Sequence, residues 1–203
     1  MTRRAIPLTA TLAAVLLTTS ATPGAAAGGD RSDRTERRSV ARADSSYRPD
    51  AWIKLCGLSL GCTIDPPPHP WLGKDVYNTT GRKQTVSVDI DNGEGVRFWI
   101  TLENDGAESD TLAVQGCRGT RYFEVNRVLL GKHKDQDASA VDLTRKYKKG
   151  TLTFDLASGE RVVFTLNIIT RIAEGVTYRC VTAVHSVNDP TSEDAVVAEM
   201  TTY

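Results

Sequence analysis

The sequence predicts an all-β protein, an antiparallel sandwich or barrel, and two observations carry that prediction. The first is strict alternation of apolar and polar residues, the period of a strand with one buried face. The second is punctuation by Gly, Asn and Asp, which divides the alternating runs into short strands roughly ten residues apart. Val86, Val88 and Ile90 alternate with Ser87 and Asp89; after the turn residues Asp91, Asn92 and Gly93 the alternation resumes at Val96, Phe98, Ile100 and Leu102. A further apolar run spans Thr111 to Val114. Leu152, Phe154 and Leu156 repeat the pattern, and past Ser158 and Gly159 it continues through Val162, Phe164, Leu166 and Ile168. It returns around Tyr178, Cys180, Thr182 and Val184. Helical spacing is nearly absent: over residues 137–150, Val141, Leu143 and Tyr147 are too sparse for an apolar stripe, which predicts at most a short helical turn. No repeat of solenoid or propeller period is visible.

The expected organisation is a signal peptide over residues 1–27, a flexible charged leader over 28–49 and the sandwich domain over 50–203. Arg3 and Arg4, the apolar stretch to Leu17 and the small residues Ala25, Ala26 and Ala27 have the layout of a secretory signal cleaved after Ala27. The apolar core falls short of the ~20 residues that span a bilayer. Paired arginines keep the twin-arginine route open beside the general one. The leader mixes charges of both signs and lacks large apolar residues, so burial cannot offset the entropy of ordering it. Its Asp30, Asp33, Glu36 and Asp44 dilute the field of Arg31, Arg34, Arg37, Arg38 and Arg42. Loss of the signal leaves 23 basic against 25 acidic residues, a balance that gives no electrostatic reason to expect nucleic acid or anionic lipid as a partner. The mature chain is expected to be secreted, without a membrane span.

One stretch draws attention as a possible site. In ENDGAESDTLAVQGC, Glu103 to Cys117, carboxylates crowd between two apolar runs. Asn104, Asp105 and Gly106 have a local explanation, since Asn and Gly accept positive φ and Asp caps backbone donors, so Asn104 and Gly106 read as structural turn residues. An EF-hand loop needs oxygen ligands at alternate positions and a bidentate Glu at the twelfth. Neither this stretch nor Asp89 to Gly95 supplies that register, so a solvated turn is expected, with calcium at Asp105, Glu108 and Asp110 as the alternative. Of the histidines, His69 sits in PPPHPW, a rigid polyproline connector beside Trp71 or, in the sharper reading, a binding ledge formed by His69 and Trp71. His133 reads as loop and His185 as a solvent-facing strand residue, with Ser186 and Asp189 too close in sequence to form a nucleophile, base and orienter with it. No nucleophile elbow, zinc-protease helix or P-loop occurs, and the expectation is a chain that is not an enzyme and takes no cofactor.

Cys56, Cys62, Cys117 and Cys180 are an even set in an exported chain, the pattern of two disulfides, with three pairings open. Zinc is disfavoured because only Cys56 and Cys62 are near neighbours. Those two close the short Gly-bearing loop CGLSLGC. Tyr178 and Cys180 reproduce the Tyr-x-Cys order that immunoglobulin-type domains place at the start of strand F, where the tyrosine hydroxyl bonds back to the corner leading into the strand. In that topology the strand ending at Cys117 runs antiparallel beside F, which favours Cys56 with Cys62 and Cys117 with Cys180; geometry decides.

RPDAWIK (Arg48 to Lys54), GKDVYNTTGRKQT (Gly73 to Thr85), VRFWITLENDG (Val96 to Gly106), YFEV (Tyr122 to Val125), GTLTFDLASGERVVFTLNI (Gly150 to Ile168) and SVNDPTSEDAV (Ser186 to Val196) follow one another in an order that resembles immunoglobulin-like repeats of secreted and surface proteins in actinobacteria and related bacteria. The chain is similar to CARDB-type cell-adhesion modules. That resemblance implies an immunoglobulin-like sandwich of about seven strands with an interaction or spacer role, and no catalytic residues to carry over. This chain has one copy and adds the CGLSLGC and PPPHPW insertion and Cys117.

The expected function is a secreted, disulfide-stapled module that binds a cell-surface or extracellular protein or glycan without chemistry. A metal-dependent hydrolase is the alternative from another class, and it requires Glu103, Asp105, Glu108 or Asp110 to converge with His185. A small extracellular protease inhibitor presenting CGLSLGC or PPPHPW is the third.

Overall fold

Alternating residues such as those from Val86 to Ile90 turn one face of a strand inward, so the strand needs a second layer to cover it. The computed structural model describes residues 46–58, 70–131, 140–171 and 174–203. The expected signal peptide, most of the leader, Cys62, His69 and His133 lie outside the described residues. Nine strands are described: β1 (Pro49–Leu58), β2 (Thr85–Ile90), β3 (Gly95–Asn104), β4 (Asp110–Gln115), β5 (Phe123–Leu130), β6 (Leu152–Leu156), β7 (Arg161–Thr170), β8 (Thr177–Ser186) and β9 (Glu193–Thr202). The single helix described, α1 (Thr144–Lys149), is the short turn expected near residues 137–150, and it ends at Gly150 in the left-handed conformation.

The strands form two packed sheets in the orders β1-β3-β7-β5 and β2-β9-β8-β4-β6. Pairing is antiparallel throughout except for β2, which runs parallel to β9. The fold is an immunoglobulin-like β-sandwich: the first sheet has the A-B-E-D order, and in the second β9, β8 and β4 take the G, F and C places. The chain crosses from β4 to β5 in the other sheet and then returns to β6 beside β4. Between the sheets Phe98, Ile100, Phe164 and Leu166 face Leu112, Val184 and Val196, all fully buried.

Nine strands are described, where the resemblance implied about seven, and β1, β5 and β9 are the ones the apolar pattern did not mark. In β9, Asp194 to Ala198 are buried in succession. Its outer face is covered by the turn before β2, where Gly81, at φ 71°, leaves no room for a Cβ beside Val197. In β1 the outward Trp52 is itself 5% exposed, so apolar residues occupy both faces. The strand is bulged between Leu55 and Gly57, with Cys56 at the irregularity.

The expected leader ends earlier than residue 49. Ser46 and Arg48 dock through their carbonyls on the β3–β4 turn, accepting from Glu108 N (3.0 Å) and Asp105 N (2.8 Å). Tyr47 O accepts from Ser192 Oγ at 2.8 Å. This docking explains Gly106 differently from the turn reading: its φ is not positive, and a Cβ there would sit 2.4 Å from Ser46 O. Asn104, fully buried, holds the same turn by donating from Nδ2 to Glu108 O (2.7 Å) and Leu156 O (3.0 Å) while Oδ1 accepts from Gly106 N.

Candidate functional site

Cys117 follows β4 and Cys180 lies in β8; because the two strands pair antiparallel, the residues arrive side by side and form a disulfide with Cα atoms 5.2 Å apart. Cys56 is also disulfide-bonded. Tyr147 of α1 is the central side chain behind the Cys117–Cys180 bridge. It is fully buried, its hydroxyl lies 2.6 Å from Thr182 Oγ1 and within 3.8 Å of both sulfurs, and burial raises its pKa. Gly116 is required beneath it, since a Cβ there would lie 2.3 Å from the ring. Tyr178 stacks on Phe123 with centroids 5.0 Å apart, and its hydroxyl accepts from Gly119 N at 3.1 Å. The backbone partner is thus the loop after β4, not the corner leading into β8, because the bridge draws that loop across the start of β8.

The carboxylates of the ENDG stretch do not gather. Asp105 takes an ion pair with Arg48 at 2.6 Å and a hydrogen bond from the Tyr77 hydroxyl, and the Arg48 guanidinium lies 5.0 Å from the Tyr77 ring centre. Asp110 accepts from Asn188 Nδ2 at 2.9 Å, and Glu103 pairs with Arg161 at 3.5 Å. His185 lies elsewhere, lining a basic hollow with Arg118, Lys148 and Lys149. The convergence required for a hydrolytic centre is therefore absent from these residues. Among the described residues no three His, Cys, Asp or Glu side chains are grouped to hold a metal ion, Asp105, Glu108 and Asp110 included.

A denser polar network covers the free edge of β1. Asp194 of β9, fully buried, accepts from Ala51 N (2.7 Å), Asn78 N (3.0 Å) and Gln84 Nε2 (2.9 Å). Gln84 also donates to Ala51 O at 3.0 Å, and Leu72 exchanges backbone bonds with Ile53 (2.8 and 2.9 Å), so the exposed donors and acceptors of an edge strand are met. Asn78 organises the turn that delivers Gln84: its Oδ1 accepts from Thr80 N and Arg82 N, and its Nδ2 donates to Gln84 Oε1 at 2.6 Å. Asp50, also fully buried, accepts from Asp75 N at 3.1 Å, and its Oδ1 has no hydrogen-bond partner. Asp75 is itself held at φ 60°, a conformation costly for a residue with a Cβ. Neither Asp50 nor Asp194 has an ion-pair partner among the described residues. Burial first, and for Asp50 also the neighbouring carboxylates of Asp194, Asp75 and Asp105, pushes the Asp50 pKa up to about 7; burial pushes Asp194 up to about 6 against its hydrogen bonds.

Beside this network the outer face of the first sheet forms a cleft of about 270 Å³ lined by Trp52, Trp71, Lys74, Thr101, Arg161 and Val163. Its floor is a row across three strands, since Trp52 pairs with Thr101 and Thr101 with Val163. Lys74 Nζ lies 5.2 Å and Arg161 Cζ 5.8 Å from the Trp52 ring centre, a double cation–π arrangement. Trp71 is the member that sequence reasoning singled out. The others carried no signal, because they are separated in sequence and only strand register assembles them.

No family model matches the chain, and a search of curated proteins finds no match. Solved structures that resemble it include a family 123 glycoside hydrolase from Clostridium perfringens (9% identity, TM-score 0.37, covering 59% of this chain and 23% of that one). The major pilin subunit of Bacillus cereus matches at 7% identity and TM-score 0.39, over 76% of this chain and 40% of that one. A PapD-like domain of human CEP192 matches at 12% identity and TM-score 0.32, over 58% and 78%. The match thus spans less than half of the hydrolase and of the pilin, and at these scores the likenesses carry no argument about what the chain does.

Proposed function

We propose that the chain is an exported, non-catalytic interaction module of the CARDB type, which recognises an extracellular protein or glycan at a cell surface. The observation that supports this reading is the Trp52 cleft: a concave aromatic and aliphatic surface with a few convergent polar groups, the makeup of a recognition site, on a rigid three-strand floor. Ligand recognition needs a preformed shape, and here both walls are fixed, Lys74 through its neighbour Asp75, bonded to Asp50, and Trp71 through its neighbour Leu72, bonded to β1. The disulfide at Cys117 and Cys180 agrees with an oxidising compartment. The test is capture of a partner from the surface of the producing culture by immobilised protein, compared with a Lys74→Gln, Arg161→Gln double variant. Capture abolished in the variant supports the reading; equal capture by both proteins contradicts recognition through this cleft. Mass measurement of the exported protein should place its first residue at Gly28, and an intact leader beginning at Met1 would contradict export through a cleaved signal.

A further inference from the structure

We propose that the Trp52 cleft takes an acidic saccharide, a pyranose ring bearing a carboxylate, of the uronic acid class. The inference rests on the interaction-module reading and names its ligand. The volume, about 270 Å³, is just under the roughly 300–1,000 Å³ of drug-sized sites, so it suits one ring of a longer glycan whose remainder continues into solvent. Trp71 and Val163 present apolar surface to the C–H face of such a ring, and the Thr101 hydroxyl is both donor and acceptor for a sugar hydroxyl.

Charge selects the acid. Lys74 and Arg161 line the cleft, and Glu103, which pairs with Arg161 at 3.5 Å, is the single carboxylate bonded to either of them among the described residues. Asp50 and Asp75 do not line it. The lining itself therefore carries two cations and no carboxylate, which leaves N–H donors for a ligand carboxylate. A Trp face flanked by protein cations also differs from an aromatic cage for a ligand cation, where the ring is left open to the ligand.

An acidic peptide is the competing occupant. A peptide docks on a sandwich most readily by adding a strand to a free edge, and the neighbouring edge of β1 is already occupied by Leu72, Gln84 and Asp194. A single ring needs no such edge.

The experiment titrates the full mature chain with a glucuronate-containing disaccharide, its neutral glucose counterpart and a glutamate-rich peptide, read by tryptophan fluorescence and by amide and indole chemical shifts. The expected result is that the acidic disaccharide shifts the Trp52 and Trp71 indoles and binds at least ~10-fold more tightly than the neutral one, and that Lys74→Gln, at an exposed position, weakens it ~10-fold or more while leaving the fold's spectrum intact. Equal binding of the two sugars overturns the acidic class and leaves the module reading standing. Shifts confined to Arg118, Lys148 and Lys149 overturn the site. Peptide binding at the cleft without sugar binding overturns the saccharide. Absence of all three together with no capture from the culture surface overturns both readings.

Discussion

The seam between β4 and β8 and the edge of β1 are fastened by opposite chemistries. At the seam a covalent bridge lies against a buried tyrosine whose hydroxyl is satisfied by Thr182. At the β1 edge two buried carboxylates, without ion-pair partners among the described residues, hold the strand to the segment that forms one wall of the cleft. The difference teaches that one sandwich can carry a redox-sensitive region and a pH-sensitive region, and that the recognition cleft adjoins the second. Asp50 and Trp52 share a face of β1, and Lys74 and Asp75 are consecutive, so what happens to the carboxylates is felt beside the cleft.

The largest expected effect breaks the seam. Replacing Cys117 and Cys180 together by Ala opens a loop with a sequence separation of 63 and should cost about 4 kcal/mol in denaturant unfolding. The loss should be equal at pH 5 and pH 8; a loss confined to one pH would mean that the two regions are not separate. Next, Asp194→Ala removes the acceptor for Ala51 N, Asn78 N and Gln84 Nε2, and should cost about 2 kcal/mol at pH 5, with a smaller loss at pH 8 because the variant also relieves a buried charge. A loss that grows with pH would mean that the charged form is the better fastening. The smallest effect is that of Tyr178→Phe, about 1 kcal/mol and independent of pH, from the bond to Gly119 N. An unchanged unfolding midpoint would show that this bond adds nothing to the seam.

How much of this was legible in the sequence differs between the same two regions. The seam was largely readable: an apolar run located β4, period two located β8, and Tyr-x-Cys oriented Cys180 toward the strand ending at Cys117. Its unreadable part is Tyr147, whose burial depends on a Gly116 far from it in sequence. At the β1 edge almost nothing was readable, since Asp50 and Asp194 look like surface residues until the segment 70–84 covers them. The Asn78 to Gln84 stretch belongs to one of the segments that carry the resemblance, and its side chains replace the missing neighbour of an edge strand. The acidic stretch was legible as a turn, but not its partners, since Asp105, Asp110 and Glu103 each face a different one. The cleft could not be read because its floor exists only through register.

The β1 edge is fastened by buried carboxylates that no ion pair compensates among the described residues. Asp50 and Asp194 titrate at about 7 and about 6 when folded, above the unfolded carboxylate range. The folded chain therefore holds more protons than the unfolded chain between roughly pH 4 and pH 7, and this contribution to stability, full below that window, is lost as pH rises through it. The most direct measurement is denaturant unfolding of the native chain and of Asp50→Asn at pH 5 and pH 8 with the disulfides intact. The native chain is expected to have a higher midpoint at pH 5 than at pH 8, and Asp50→Asn a smaller difference. A native midpoint that rises from pH 5 to pH 8, or an Asp50→Asn variant with the same pH difference as the native chain, would contradict it.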